Sequence, residues 1–217
     1  AFPPFSDQNS QPAMISLSSR KAAILAHSEQ YAASRPEWRE KASFFHREDE
    51  RYLRFLIPEG ARVLEIGCGT GDTLAALKPS YGVGVDFSPG MIEQARRLHP
   101  ELEFQVGDAE DPETISALKG PFDFILVQDT IGSLDDCQAF LAQLHPLCVR
   151  HTRIVIGYFS HLWQPVLRLA EAMGRRMPYP EQNVLSPDDV AALAVLADMD
   201  PVKSERRLLM PVSLFGI

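Results

Sequence analysis

Paired cysteines and long apolar runs are both absent from this sequence. Its three cysteines, Cys68, Cys137 and Cys148, are odd in number and show neither a CxxC pair nor a metal-ligand spacing. We therefore expect no metal site and a reducing, cytoplasmic setting. No apolar stretch approaches the ~20 residues that span a bilayer. Residues 1–21 also lack the apolar run of a secretory signal, so the sequence predicts neither a membrane span nor a disulfide-stabilised secreted domain.

Basic residues are outnumbered in this chain. It has 21 Lys and Arg against 29 Asp and Glu, a formal net charge of −8 and a pI of about 5.2. A surface of this sign repels the phosphate backbone, so nucleic acid is not an expected partner. What the sequence does have is 217 residues with 45% hydrophobic side chains, enough for one domain with one core. The oligomeric state stays open.

Two helical stretches precede a regular alternation of strand and helix patterns. Residues 1–19 are rich in Pro, Ser, Gln and Asn and are expected to form an arm. The periodicity predicts helices over 20–31 and 36–56. Short apolar strands are predicted at 62–66, 81–85, 103–106, 122–127 and 152–157, with helices between them and an edge strand at 201–210. Strands separated by helices at this spacing predict an α/β fold, a doubly wound and mostly parallel sheet with helices on both faces.

The first predicted strand runs into the glycine-rich sequence EIGCGTG at 65–71. In an open α/β sheet, ligands bind beyond the carboxyl ends of the strands, where the strand order reverses. Glycines in that position let the backbone adopt positive φ and approach a ligand closely. The loop therefore indicates a small-molecule site, although a glycine-rich turn of this kind also serves dinucleotides.

Two acids follow the next two strands in the same way. Asp86 closes the second strand, where a carboxylate can accept both hydroxyls of a ribose. Asp108 closes the third, where it can accept a hydrogen bond from an adenine amino group while the backbone of Ala109 meets the ring. Phe87 and Met91 offer apolar surface beside them. Each acid alone is more simply a turn former or a helix cap. Together with Glu65 at the end of the first strand, however, Asp86 and Asp108 make three acids in succession, which outline a nucleoside site.

These motifs carry a resemblance to a known family. The sequences EIGCGTG at 65–71, VDFSP at 85–89, GDAE at 107–110 and FDFIL at 122–126 resemble those of class I S-adenosylmethionine-dependent methyltransferases over about residues 40–200. The resemblance implies a Rossmann-like sheet and S-adenosylmethionine as the cofactor. It implies these cofactor-binding residues: Glu65, Gly67, Cys68, Gly69, Gly71, Asp86, Phe87, Met91, Asp108, Ala109 and Gln128. A dinucleotide fingerprint would place its third glycine at position 72, where Asp72 stands.

The resemblance also suggests how the domain is organised. Residues 20–217 would form the methyltransferase domain, with a helical lid over 20–57 and a Rossmann-like core over 58–217. A weaker likeness, in FFHREDERYLRFLIP at 44–58 and NVLSPDD at 183–189, points to methyltransferase domains found beside bacterial glycosyltransferases. Family members usually end in an antiparallel hairpin, for which residues 201–217 are short. We therefore expect this terminal hairpin to be incomplete.

The acceptor of the methyl group is less evident than its donor. The loop after the fourth strand should border the methyl, which makes Asp129 a candidate acid/base or substrate contact. A loop carboxylate that bonds to backbone is an equal alternative. After the fifth strand, His161 is the best candidate general base because its ordinary pKa lies near neutrality, and Tyr158 stands close to it. The lid residues Tyr31 and His46 are further candidates for contact with either ligand.

Three functional hypotheses follow. The first is O- or N-methylation of a small-molecule acceptor by SN2 transfer, for which the acidic chain and the cofactor motifs argue. The second is a non-catalytic S-adenosylmethionine-binding module, or a domain of a larger glycosyltransferase-linked protein. The third is a nicotinamide-dependent oxidoreductase, which the glycine spacing disfavours.

Overall fold

A computed structural model describes residues 17–159, 164–174, 176–178, 183 and 185–207. The helices are α1 (Ser19–Tyr31), α2 (Arg35–Lys41), α3 (Ser43–Leu56), α4 (Asp72–Ala76), α5 (Pro89–Leu98), α6 (Pro112–Ser116), α7 (Cys137–Gln143), α8 (Gln164–Ala172) and α9 (Pro187–Leu196). The strands are β1 (Arg62–Ile66), β2 (Tyr81–Asp86), β3 (Glu103–Val106), β4 (Phe124–Gln128) and β5 (Arg153–Gly157). Within this part of the chain, no helix is long and apolar enough to cross a bilayer.

The five strands form one parallel sheet in the order β3-β2-β1-β4-β5. The order reverses between β1 and β4, so the crevice at their carboxyl ends is the expected ligand site. Both faces of the central strands are covered, which is why those strands are almost wholly apolar. Along β1, Val63 packs into the core under α3, α4 and α5, while Leu64 packs into the core under α6, α7 and α9. The predicted doubly wound α/β fold is confirmed.

Capping residues close in sequence determine where several helices begin. Ser88 accepts a hydrogen bond from the Met91 N–H at 3.1 Å and caps α5, with Pro89 at the first helical position. Ser186 and Asp189 form a capping box at the start of α9. These caps can be found in the sequence because the donor and acceptor lie within three residues of each other.

Two expectations from the sequence are wrong. The single helix over 36–56 is two helices, α2 and α3, separated at Ala42 with φ −105° and ψ 21°. The break allows α3 to place Leu53 in the core while no residue of α2 is buried, a tertiary requirement that periodicity does not report. In the edge strand predicted at 201–210, residues 201–207 form no strand and are exposed, and residues 208–210 lie outside the described residues. Four of those seven residues are charged and Pro201 lacks an N–H, which disfavours pairing at a sheet edge.

Candidate active site

The glycine-rich loop between β1 and α4 depends on left-handed backbone. Gly67, Gly69 and Gly71 have φ of 73°, 52° and 77°. A Cβ at Gly67 would collide with Thr130 and one at Gly71 with the Phe104 ring, so both glycines are required by packing. A Cβ at Gly69 would meet nothing within 4 Å. Gly69 therefore faces open space, where a ligand could approach the backbone closely.

Asp86 ties the loop to the end of β2. Its Oδ2 accepts a hydrogen bond from the Gly69 N–H and its Oδ1 one from the Ser88 N–H, both at 2.9 Å. Burial raises the pKa of this carboxyl, against the lowering effect of the two N–H donors. Each oxygen keeps a second lone pair, so the carboxylate can hold the loop and still accept ligand hydroxyls.

The remaining residues around the nucleoside position differ in exposure. Met91 is buried within the fold at the start of α5, and Ala109 is buried in the core, while Phe87 is half-buried. Cys68 is buried and burial raises its thiol pKa well above the ordinary value, so its thiol is a packing group. Ala109 can contribute only backbone, as the sequence suggested.

Asp108 is already engaged by the first helix. Its Oδ1 accepts a hydrogen bond from the Glu110 N–H at 2.9 Å, and its Oδ2 accepts one from Lys21 Nζ. Lys21 also pairs with Glu110 Oε2 at 2.7 Å and is only 8% exposed. Lys21 thus occupies the oxygen that the sequence analysis assigned to an adenine amino group. The sequence offered no local signal for this contact, because 87 residues separate its two partners.

The helix α1, which contributes Lys21, makes further contacts across the crevice. Glu29 Oε1 accepts hydrogen bonds from Ser88 Oγ at 2.6 Å and from the Gly90 N–H at 3.0 Å. Arg20 pairs with Asp135 at 2.8 Å and donates to the Gly132 carbonyl at 3.2 Å. The first helix therefore lies over the carboxyl ends of β2 and β3 and the loop after β4.

Glu65 lies beneath the glycine-rich loop. It is 2% exposed, the Leu74 N–H donates to its carboxylate, and its Oε2 has no hydrogen-bond partner among the described residues. Burial raises the pKa of this carboxyl to about 8, and Arg39 opposes the shift. An unpaired buried acceptor of this kind is a place for a donor, either a ligand or the carboxyl's own proton.

A measurable pH dependence follows from Glu65. Its folded-state pKa lies above the unfolded value, so the folded state binds the proton more tightly. Stability is therefore lost as the pH rises through that folded pKa. We expect the free energy of unfolding to fall between pH 5 and pH 8.5 by about 2–4 kcal/mol more than in Glu65→Gln. Urea unfolding at several pH values measures this. Glu59→Gln, at an exposed position nearby, is the control, and equal slopes for Glu65→Gln and the wild type would contradict the expectation.

Arg39 is a site residue that sequence reasoning missed. It extends from α2 to pair with Glu50, and its Nε lies 3.6 Å from Asp72 at the start of α4. Its Nη1 is also 3.4 Å from His46 Nδ1. Burial, with Arg39 next, lowers the pKa of His46 to about 3, so this imidazole is neutral at physiological pH. A cation beside the glycine-rich loop suits the carboxylate of an amino-acid ligand.

The loop after β4 joins the other side of the glycine-rich loop. Thr130 Oγ1 lies 3.2 Å from the Ile66 carbonyl and 2.9 Å from the Gln128 carbonyl. Asp129 adopts φ 53° and its N–H donates to the Gly157 carbonyl at 2.8 Å. Gln128 Nε2 donates to Asp49 Oδ2 on α3 at 3.1 Å. These contacts bring the ends of β1, β4 and β5 together with α3.

Asp129 and Asp49 are two carboxyls on this side of the crevice. Both are partly accessible, yet enough protein surrounds them that burial raises the pKa of each. The pKa of Asp129 reaches about 7, with Asp49 as the second cause and Arg176 and Arg35 opposing it. Asp129 can therefore exchange a proton near neutral pH. Asp49 was not identified as a site residue from the sequence, since it stands within a charged stretch of α3.

The two residues that follow β5 face different sides. Tyr158 packs against the core under α9, and burial raises its pKa, with Asp189 as the next cause. Phe159 instead stacks on Phe45 of α3 at 5.4 Å between ring centroids. Phe159 was missed by the sequence reasoning and lies on the side of Asp129, whereas Tyr158 does not. His161 lies outside the described residues.

The chain is similar to known methyltransferases. A family model described as a methyltransferase domain matches residues 37–198. The magnesium-protoporphyrin O-methyltransferase of Rhodobacter capsulatus is 43% identical over 79 residues, 33% of this chain and 33% of that protein. The aklanonic acid methyltransferase of Streptomyces sp. (strain C5) is 35% identical over 89 residues, 35% of this chain and 40% of that protein. The matches thus span well under half the length of both relatives.

A solved structure agrees over a longer span. A Thermotoga maritima S-adenosylmethionine-dependent methyltransferase, described as a possible histamine N-methyltransferase, superposes with a TM-score of 0.64. It is 25% identical, and the alignment covers 80% of each chain. The open position at Gly69, the acid at Asp86 and the crevice at the reversal of strand order fit S-adenosylmethionine as the cofactor. The chain therefore belongs to the class I S-adenosylmethionine-dependent methyltransferases.

Proposed function

We propose that this protein transfers the methyl group of S-adenosylmethionine to an oxygen or nitrogen atom of a small-molecule acceptor. One observation carries the proposal. Gly69, Asp86 and Asp108 converge in the crevice where the strand order reverses, and Asp86 links the loop to β2 through two hydrogen bonds of 2.9 Å. The names of the two relatives given above describe methyltransferases that act on small molecules. The net charge of −8 argues against a nucleic-acid acceptor.

Each part of the cofactor then has a place along the crevice. The backbone of Gly67, Cys68 and Gly69 would hold the methionine end, with Arg39 as the counter-ion of its carboxylate. Asp86 would accept the ribose hydroxyls. Asp108 and the backbone of Ala109 would contact the adenine amino group and ring, and Phe87 and Met91 would pack against the ring. Glu65 and Gly71 would support the glycine-rich loop. Gln128 would border the methyl end of the cofactor.

The chemistry is a displacement at the sulfonium methyl that the cofactor supplies. The protein aligns the acceptor with that methyl, excludes water and removes the acceptor's proton. Asp129 is the group placed for the proton, since its carboxyl exchanges near neutrality and it follows β4 at the methyl end. The hypothesis that Tyr158 and His161 act as catalytic residues stays a prediction.

Calorimetric titration with S-adenosylhomocysteine is the first test of the proposal. We expect saturable one-to-one binding, followed by acceptor-dependent release of S-adenosylhomocysteine when S-adenosylmethionine is supplied with a small-molecule extract. Absence of any binding would end the proposal. Binding without turnover across extracts and purified amines, phenols and carboxylic acids would favour the non-catalytic module instead.

Lys21 should compete with the adenosine for Asp108. Lys21→Met keeps the apolar stem and removes the ion pair with Asp108 and Glu110. We expect this variant to bind S-adenosylhomocysteine roughly threefold to tenfold more tightly, since a largely buried ion pair no longer has to break. Lys78→Met, which removes an exposed pair with Glu59, should leave the affinity unchanged. Weaker binding by Lys21→Met in calorimetry would make Lys21 a ligand contact rather than a competitor.

A further inference from the structure

The acceptor side of the crevice is defined by two carboxyls held at the methyl end. Asp129 follows β4 directly, and its backbone is fixed by the N–H bond to the Gly157 carbonyl at 2.8 Å. Asp49 comes from α3, where Gln128 Nε2 donates to its Oδ2 at 3.1 Å. Thr130, the residue after Asp129, contacts the Ile66 carbonyl at the end of β1 through its Oγ1. Both carboxyls therefore lie where the glycine-rich loop and the end of β4 meet.

An aromatic wall adjoins these carboxyls. Phe45 stands four residues before Asp49 on α3, so the two side chains share one face of the helix. Phe45 stacks on Phe159, with ring centroids 5.4 Å apart and planes 26° apart. His46 meets Phe45 edge-on at 5.4 Å. All of these side chains are partly accessible, as expected for the lining of an open site.

Most of the charged side chains around Asp49 and Asp129 also form ion pairs with other residues. Arg39 pairs with Glu50 and approaches Asp72, and Arg176 pairs with Glu171. Among the described residues, the other charged groups that act on the two carboxyls are Arg35 and Arg207, with Glu50 acting on Asp49. Burial and the second carboxyl both favour the protonated form of Asp129, which would not occur if the arginines dominated.

From this arrangement we propose that Asp49, Asp129 and the Phe45–Phe159 wall bind the acceptor, and that the acceptor is a small arylalkylamine, with an aromatic ring and an alkyl-bound amino group, that enters as its ammonium ion. The inference rests on the proposed function and narrows it to nitrogen. In their ionised forms, the two carboxyls supply the counter-charge and hydrogen-bond acceptors for an ammonium. The Arg176 guanidinium lies 5.7 Å from the Phe159 ring centroid, so this wall already accepts a cation, and its ring faces also suit a planar group. A carboxylate acceptor would instead place a third negative charge beside two others.

The chemical step balances with the groups at hand. A proton moves from the ammonium nitrogen to a carboxylate oxygen of Asp129, and the N–H electron pair stays on nitrogen. That lone pair then forms the bond to the methyl carbon, while the carbon–sulfur bond breaks and leaves its pair on sulfur. The product is the methylated ammonium, and Asp129 returns its proton to solvent. A carboxyl with an ordinary pKa would be too weak a base for this transfer, so the raised pKa of Asp129 suits it.

Binding of matched probes tests the inference without turnover. Benzylamine and benzoate have the same ring and opposite charges, and each can be titrated by NMR into the protein saturated with S-adenosylhomocysteine. We expect benzylamine to bind at least about fivefold more tightly than benzoate, and Asp49→Asn and Asp129→Asn each to remove that preference. Glu48→Gln, on the same helix and paired with Arg51 at 3.6 Å, is the matched control and should keep it.

Carboxyl titration provides a second readout. In protein carrying ¹³C-labelled aspartate, Asp49→Asn should lower the pKa of Asp129, because it removes the neighbouring like charge. Glu48→Gln should not change that pKa. An unaltered Asp129 titration in Asp49→Asn would show that the two carboxyls do not act as a pair, and would overturn the inference.

The outcomes separate this inference from the function on which it rests. Equal or tighter binding of benzoate, no benzylamine binding up to about 10 mM, or an unchanged preference in both variants would each overturn the amine acceptor. S-adenosylhomocysteine binding would stay intact in those cases. Failure of the wild type to bind S-adenosylhomocysteine would instead overturn the proposed function itself.

Discussion

Replacement of Asp86 by alanine is expected to weaken S-adenosylhomocysteine binding by at least about 100-fold. Two effects add. The variant loses the carboxylate proposed to accept two ribose hydroxyls, and hydrogen bonds to a charged group are worth about 1.5–3 kcal/mol each. It also frees the Gly69 and Ser88 N–H groups that the carboxylate holds at 2.9 Å, so the loop loses its attachment to β2.

Asp123→Ala is the matched control for this loss. Asp123 also accepts a backbone hydrogen bond, from the Arg62 N–H at 2.8 Å, but at the amino end of the sheet. We expect Asp123→Ala to bind S-adenosylhomocysteine with wild-type affinity in calorimetry, even where it lowers the unfolding temperature. If both variants lost affinity equally, general destabilisation would explain the result, and Asp86 would not be a cofactor residue.

Gly67→Ala should be among the most damaging single-methyl changes available in this chain. Gly67 has φ 73°, and an added Cβ would lie 2.8 Å from Thr130 Cγ2 and 2.9 Å from Thr130 Cβ. The left-handed backbone costs on the order of 1 kcal/mol for alanine, and overpacking against a fixed loop adds about 1–3 kcal/mol. We expect a loss of about 2–4 kcal/mol in the free energy of unfolding, together with loss of S-adenosylhomocysteine binding.

Gly60→Ala separates the cost of backbone strain from the cost of overpacking. Gly60 has φ 84°, but a Cβ there would meet nothing within 4 Å. Its replacement should cost only the backbone strain, about 1 kcal/mol in urea unfolding, and should leave ligand affinity unchanged. A Gly67→Ala protein that behaved like Gly60→Ala would show that the contact between this loop and Thr130 is not tight.

The fold could be predicted because its signals are local. The strands β1, β2, β4 and β5 are short apolar runs, and the caps at Ser88 and Ser186 lie within three residues of the N–H groups they bind. The break between α2 and α3 could not be predicted in this way. It is set by which side chains reach the core, a property of the packed molecule rather than of the helical periodicity.

The cofactor side and the proposed acceptor side of the site also differ in how far the sequence could predict them. The loop at 65–71, Asp86 and Asp108 each follow a strand, and the carboxyl ends of parallel strands meet at one edge of a sheet, so their proximity follows from the order of elements. The residues proposed for the acceptor side follow no such rule. Asp49 and Phe45 come from α3 and Phe159 from the loop after β5, and 79 residues separate Asp49 from Gln128.

By itself, the sequence determined the parallel α/β fold and the glycine-rich loop, and the fold with its relatives established the family. Strand propensity, capping and glycine conformation all act over a few residues, which is why a linear pattern contains them. Only the tertiary structure decided that Lys21 covers Asp108, that Arg39 reaches the glycine-rich loop, and that Asp49 and Asp129 lie on one side of the crevice. Those contacts depend on how α1, α2 and α3 dock against the sheet. The energy of a charge depends on what surrounds it in space rather than along the chain.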